Sequence, residues 1–311
     1  MSRAPVWRRS GWLLIAVVAG WLSGCSPQSP QQVSLCGPTG QLRMGYVGAD
    51  EGRARGGQAV LPDAEIGRLR DLLTVASRCD VQLEPVASPE QARLRLGAAE
   101  WDAAFLPAGL AALALEGPGG GYSLVRPLGQ RRQSRSQLLV RSDSERRSLP
   151  QLKGARLGLL PRGSLTGFYL PLYNLHGLTL SSVHYSLSYS ELLERLRSGK
   201  LDVIVWDSAL PEPGGDVRVL FEDQNSVPLG ALVISQALVA SDHQPFLRTL
   251  DDSAPQLPPS LGYAAGVLPQ AQELQRLRTV VNSVEGWDLP LEGQSYSVYG
   301  HKQQLTPAEV R

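Results

Sequence analysis

Apolar residues recur along this chain with two different periods. Residues 42–48 and 80–86 alternate apolar and polar positions as a strand does, and 101–106 is an apolar run of strand length. Between the first two, residues 64–77 set Ile66, Leu69, Leu72, Leu73 and Ala76 at helical spacing. Ser88-Pro89-Glu90-Gln91 joins an N-cap, a proline at the first helical position and a glutamine at the third, so a helix should start there. The order β-α-β-α-β predicts a mainly parallel sheet with helices on both faces.

A glycine-rich connector at 117–122 precedes a second round of the same pattern. Residues 137–141 and 155–160 read as strands, and 166–176 as a helix ended by Gly177 in the C′ position. Ser188-Tyr189-Ser190-Glu191 is a second capping box, opening a helix to Arg197. Residues 201–206 form a buried-strand run, and 231–235 a further strand before mostly helical sequence. Two such units, with strands passing between them, predict an α/β protein of two lobes with a cleft. The first lobe is expected over 37–139, the second over 140–232, and a return to the first over 233–311.

The amino terminus carries its own signal. Arg3, Arg8 and Arg9 precede an apolar stretch at 11–22, and Leu22-Ser23-Gly24-Cys25 follows. This is the layout of a secretory signal. The ending resembles the lipobox of bacterial lipoproteins, which implies cleavage after residue 24 and a lipid on Cys25. The apolar stretch falls short of the roughly 20 residues that span a bilayer. Residues 25–36 then serve as a polar leash, and the body is expected outside the cytoplasm, held to a membrane by its lipid alone. Removing residues 1–24 takes three arginines and no acid, turning 30 basic against 29 acidic residues into 27 against 29. A binder of nucleic acid or anionic membrane needs a basic excess that this chain lacks. An extracytoplasmic address permits a disulfide. Cys36 precedes the first strand and Cys79 the second, points that share the amino edge of a parallel sheet, so a Cys36–Cys79 bond is expected.

The candidate chemistry centres on Leu160-Pro161-Arg162-Gly163-Ser164-Leu165-Thr166-Gly167-Phe168-Tyr169-Leu170-Pro171, where a strand gives way to a helix. Gly158 and Gly163 have the spacing of a phosphate-binding nucleotide loop, but Ser164 stands where that loop needs lysine. A nucleophile elbow centres serine between two glycines, and Gly163–Gly167 centres Leu165 instead. His176, His184, His243 and His301 show no metal-ligand spacing. No catalytic set, metal site or cofactor is therefore expected. A helix opening near Ser164 would offer free amides and the hydroxyls of Ser164 and Thr166 to an oxyanion. Ser164 as a plain helix cap is the alternative use of the same residue.

The run Gly163-Ser164-Leu165-Thr166-Gly167-Phe168-Tyr169-Leu170-Pro171, with Gly154-Ala155-Arg156-Leu157-Gly158 before it, resembles the phosphate/phosphite/phosphonate-binding family of periplasmic solute-binding proteins. Similarity extends through Ser142-Asp143-Ser144, residues 149–154 and residues 192–207, and patchily into the first lobe. The resemblance implies a type 2 periplasmic-binding-protein fold. It also implies a monomer that captures a small oxyanion and passes it to the permease and ATPase subunits of an ABC importer. The ligand would be held by Ser164, Leu165, Thr166 and Gly167, with Tyr189, Asp207 and Tyr46 facing it. Departures are Leu165 and Thr166 in place of family hydroxyl residues, Tyr189 where histidine is frequent, and the lack of the family's usual aromatic around 102–109. Asp207 matches a carboxylate that meets an amine in phosphonate binders, and Arg162 is expected to be a solvated loop residue. A sensor or scaffold without a permease, and an envelope enzyme on the same fold, are the other classes open to this sequence.

Overall fold

The computed structural model describes residues 35–36, 39–48, 61–115, 121–129, 134–268 and 271–299. The signal segment and Cys25 lie outside the described residues. The chain runs β1 (Gln41–Val47), α1 (Asp63–Ser77), β2 (Asp80–Val86), α2 (Pro89–Gly97), β3 (Ala103–Pro107), α3 (Ala108–Ala114) and β4 (Tyr122–Leu128). There follow β5 (Ser136–Arg141), β6 (Arg156–Leu159), a π-helical turn (Leu165–Tyr169) that continues as α4 (Leu170–Asn174), β7 (Thr179–Leu180), β8 (Ser182–Tyr185), α5 (Tyr189–Arg197) and β9 (Val203–Asp207). The last elements are β10 (Val217–Glu222), β11 (Gly230–Ser235), α6 (Gln236–Val239), α7 (Gln244–Asp252), α8 (Ala271–Glu285) and β12 (Tyr296–Ser297).

Two five-stranded sheets result, ordered β2-β1-β3-β11-β4 and β10-β5-β9-β6-β8. In the first, β2, β1 and β3 are parallel and β11 runs antiparallel to β3 and β4. In the second, β8, β6 and β9 are parallel and β5 runs antiparallel to β9 and β10. Each lobe is thus a parallel β-α-β core to which the other half of the chain contributes an antiparallel strand or a continuation of one. The chain crosses between the lobes three times, once from α7 to α8 and twice through the strand connections β4 to β5 and β10 to β11. The two strand connections touch where Val227 N–H donates to the Ser134 carbonyl at 2.8 Å.

Strand alternation divides the first lobe's core between two faces. Leu42, Met44, Tyr46, Ala103 and Phe105 pack with Leu69 and Leu73 of α1, while Ala104 and Leu106 pack with Leu110 and Ala111 of α3 on the other face. Cys36 and Cys79 are disulfide-bonded with their Cα atoms 5.4 Å apart, tying the entry to β1 to the turn before β2. Ser88 caps α2 by accepting from Gln91 N–H at 3.3 Å, and Ser188 caps α5 by accepting from Glu191 N–H at 3.2 Å. The Glu191 carboxylate does not reach back to its own cap. It accepts from the Ser186 hydroxyl instead.

The carboxyl-terminal stretch departs from the expected return to the first lobe. β11, α6 and α7 do join the first sheet and its core, through Ile234, Leu238, Phe246 and Leu250. From α8 onward the chain belongs to the second lobe: Leu277, Val281, Val284, Tyr296 and Val298 lie in its core, and β12 pairs with β7. The mostly helical sequence after residue 235 did not specify which lobe the apolar face of α8 would cover.

α3 had no counterpart in the strand and helix pattern, and it decides how the lobes meet. Ala108 and Ala112 pack into the second lobe's core, while Leu110, Ala111 and Ala114 pack into the first lobe's. Its sequence, Ala-Gly-Leu-Ala-Ala-Leu-Ala, is small enough to be buried on both sides.

Candidate functional site

β6 ends at Leu159, and the chain turns through Leu160–Gly163 into the π-helical turn. Ser164 is extended at its N-cap, 0% exposed, and its Oγ accepts from Gly167 N–H at 3.0 Å. The Ser164 carbonyl accepts from Tyr169 N–H at 3.1 Å. A hydroxyl holds one hydrogen and two acceptor sites. The Ser164 O–H finds no acceptor among the described residues, so its donor capacity is free. Gly167 is glycine because a Cβ there would sit 2.7 Å from the Leu160 side chain. π-turns of this kind concentrate at functional sites because they re-aim one turn of backbone and side chains.

Beside Ser164 lies a line of four side chains. Asp207, at the carboxyl end of β9, accepts at Oδ2 from the Ser134 hydroxyl (2.5 Å) and from the Thr166 hydroxyl (3.0 Å). Its Oδ1 accepts from Ala209 N–H at 2.9 Å, so Asp207 also stabilises the turn that ends its strand. Thr166 Oγ1 lies 2.8 Å from the Tyr189 hydroxyl. Because Thr166 gives its single hydrogen to Asp207, Tyr189 is the donor in that pair. The Thr166 carbonyl accepts from the Ser136 hydroxyl at 2.7 Å. Burial pushes the Asp207 carboxyl above its ordinary pKa, against the lowering effect of Ser134, Ala209 and Thr166. Tyr189 is fully buried at the first residue of α5, edge-on to Trp206.

Ser164, Thr166, Gly167, Tyr189 and Asp207 are thus brought together at the carboxyl ends of β6 and β9, where ligands enter sheets of this kind. Leu165 is adjacent in sequence, but its side chain is buried in the second lobe's core. Tyr46 is 4% exposed and packs in the first lobe's core with Leu42 and Met44, in the sheet opposite the one that carries Asp207. The two-residue period of β1 puts Tyr46 on the α1 side of the sheet, a consequence already implicit in the alternation of residues 42–46. Arg162 is not a solvated loop residue either. Its guanidinium forms a two-pronged pair with Glu285 of α8, Nε to Oε1 at 2.7 Å, and Glu285 Oε1 also accepts from the Tyr169 hydroxyl at 2.6 Å. That hydrogen-bonded carboxylate raises the Arg162 pKa, and burial foremost raises that of Tyr169.

Sequence reasoning missed Ser134 and Ser136. Both stand where the chain enters β5 from the first lobe, so the site is hydrogen-bonded directly to one of the crossovers. Alternation of small hydroxyls in Ser134-Arg135-Ser136 was the available signal. Also missed was the first lobe's contribution. A Cβ on Gly109 of α3 would lie 2.2 Å from the Gly163 carbonyl oxygen and 3.1 Å from Leu165 N, so the two backbones meet directly over the helix opening. Gly163, at φ +115°, tolerates this approach and that of Pro89 from α2. Next to the region that lacks the family's usual aromatic, α3 thus presses Ala108, Gly109 and Ala112 on the second lobe.

Among the described residues, no group of histidine, cysteine or carboxylate side chains is arranged to hold a metal. No helix among them is long and apolar enough to cross a membrane. A surface concavity of the first lobe, lined by Arg43, Gln82, Glu84, Arg95 and Glu100, has its charges mutually satisfied through Arg95 with Glu84 and Glu100.

The fold has solved counterparts. The XAC2383 protein of Xanthomonas citri, in a structure bound to chloride ion, superposes with a TM-score of 0.61 at 18% identity, over 78% of this chain and 98% of that one. PhnD1 of Prochlorococcus marinus in complex with methylphosphonate gives 0.56 at 14% identity, over 79% and 98%. A binding protein component of an ABC phosphonate transporter from Pseudomonas aeruginosa gives 0.54 at 14% identity, over 77% and 85%. These likenesses establish the two-lobed type 2 binding-protein fold. A comparison with curated proteins finds no match. The family model described as "ABC transporter, phosphonate, periplasmic substrate-binding protein" matches residues 63–244, from α1 to the start of α7, which take in the second lobe's five-stranded sheet and the whole of the Ser164–Asp207 site. With more than half of its length matched, this chain belongs to the family of periplasmic substrate-binding proteins of phosphonate ABC transporters.

Proposed function

We propose that this protein captures a small oxyanion between its lobes and delivers it to the permease and ATPase of an ABC importer, while a lipid on Cys25 holds it to a membrane. The observation that carries the ligand reading is Ser164. A wholly buried hydroxyl opens a ten-residue helical stretch and keeps its own hydrogen uncommitted, beside Thr166 and at the carboxyl end of a parallel strand. Orphan amides of the first turn add to it. A helix opening contributes about 0.3–2 kcal/mol toward an anion, and each charge-assisted hydrogen bond about 1.5–3 kcal/mol. Three or four such contacts reach the roughly −8 kcal/mol of micromolar binding. Closure about the Ser134–Val227 crossover would bring α3 over the ligand.

Calorimetry against phosphate, phosphite, phosphonates, sulfate and small carboxylates tests the reading. Ser164→Ala and Thr166→Ala should each weaken binding about tenfold, the effect of one lost hydrogen bond. Full affinity in the double variant, or no heat with any anion, rejects it. The direct Gly109–Gly163 contact favours a second reading, a sensor or scaffold whose lobes close on each other. An anion-free protein that binds a partner with its lobes closed would support that role.

A further inference from the structure

Glu285 ends α8, a 15-residue helix, where the helix dipole disfavours a carboxylate. Its partners account for the position. Oε1 accepts from Arg162 Nε–H at 2.7 Å and from the Tyr169 hydroxyl at 2.6 Å, and Oε2 accepts from Arg162 Nη2. Arg162 lies two residues before Ser164, and Tyr169 is the last residue of the π-turn. One carboxylate thus grips the turn on both sides, across 123 and 116 residues of chain. The turn needs such a grip. Tyr169 N–H donates to the Ser164 carbonyl at 3.1 Å, and Leu170 N–H to that of Leu165, each reaching five residues back. One more residue is wound in than an α-turn holds, a rare geometry kept mostly at functional sites. In an α-helix Tyr169 N–H would reach the Leu165 carbonyl instead. A slip to that register would turn Ser164 and Thr166 against Tyr169 by about 100°, one residue's share of an α-turn. Tyr169 is 0% exposed, its ring edge-on to Phe168 at 5.2 Å, so packing and the Glu285 bond together fix where it points.

We propose that Glu285 is a positioning residue of the anion site: by holding Arg162 before the π-turn and Tyr169 at its end, it locks the register that presents the Ser164 and Thr166 hydroxyls to an oxyanion. The inference rests on the oxyanion reading above. Glu285 hydrogen-bonds to neither hydroxyl, and its charge is spent on Arg162, so it acts through the geometry of the turn. Position and charge then pull in opposite directions. Removing a negative charge near an anion site strengthens binding by Coulomb attraction alone. Loosening the turn weakens binding, because the donors no longer converge on one oxyanion.

In Glu285→Gln the amide nitrogen meets Arg162 Nη2 donor against donor, which breaks the two-pronged pair in a side chain of the same shape. The full chain is titrated calorimetrically with inorganic phosphate, phosphite, phosphonates, sulfate and small carboxylates. The anion that the wild type binds most tightly is then carried to the variants, well below their Tm. Glu285→Gln should weaken it about tenfold, the lower end of what partners behind a metal ligand contribute. Tyr169→Phe changes no charge and should weaken it about threefold, the effect of one modest hydrogen bond. In a Ser164→Ala background the Glu285→Gln loss should shrink to about threefold or less, because one of the two hydroxyls it positions is gone. A merely structural residue would lower Tm and leave the affinity and this coupling unmoved. Wild-type or tighter binding by folded Glu285→Gln overturns the proposal while leaving the anion site standing, as does a loss undiminished by Ser164→Ala. Unchanged affinity in Tyr169→Phe overturns it whether or not Glu285→Gln folds. No heat with any of these anions from the wild type overturns the oxyanion reading and this inference together.

Discussion

Gly109→Ala tests how the two lobes are held. The added Cβ would lie 2.2 Å from the Gly163 carbonyl oxygen and 3.1 Å from Leu165 N. A carbon–oxygen approach of about 3.3 Å is already close, so α3 and the Gly163 turn must part by about 1 Å. Both obstacles are backbone atoms, so no side chain can swing away. Overpacking of this kind costs about 1–3 kcal/mol, and a cost borne only by the closed arrangement shifts its population about 5- to 150-fold. Small-angle scattering should then show a larger radius of gyration for the variant. If the lobes remain shut, the strain should appear as a lower Tm. Gly67→Ala is the control, since a Cβ there meets nothing within 4 Å. In the interior of α1 it should stabilise by about 0.5–1 kcal/mol. A Gly109→Ala protein with the scattering profile and Tm of the wild type would refute the contact.

Other expectations follow from single features of the molecule. Cys79→Ser should lower the unfolding free energy by about 4 kcal/mol, the chain-entropy value for a 43-residue separation, measured by urea titration against the oxidised wild type. Asp202 is held below its ordinary pKa by the Arg156 side chain and N–H. Its contribution to stability is present above the unfolded-state value and lost as pH falls through the depressed one, so Asp202→Asn should flatten the acid limb of a stability–pH curve. Asp207 carries the opposite sign, because its folded pKa is raised. Its ionisation costs stability as pH climbs from the ordinary carboxylate value through the raised one, a slope that Asp207→Asn should remove. Cys25→Ala should release the protein from membranes or leave the precursor uncleaved, and identical fractionation and migration of the two forms would reject the lipid anchor.

Local rules wrote much of this molecule into its sequence. The period of residues 64–77 became α1, the capping serines at 88 and 188 start α2 and α5, and the apolar runs at 101–106 and 201–206 became β3 and β9. Those signals depend on contacts within a few residues, which is why they survive in the bare sequence. The Ser164 cap and the clustering of Thr166, Tyr189 and Asp207 were legible for a related reason. Strand-to-helix turns of parallel sheets all point to one edge. Tertiary packing alone decided the rest. Ala108–Ala114 shows no helical period because it is buried on both sides, and only the meeting of two lobes creates two buried sides. α8 has one apolar face and two lobes to choose from, and it settles on the second, where Glu285 meets Arg162 and Tyr169. Ser134 reaches Asp207 across 73 residues of chain, a pairing fixed by the crossover between the lobes, which no local pattern encodes.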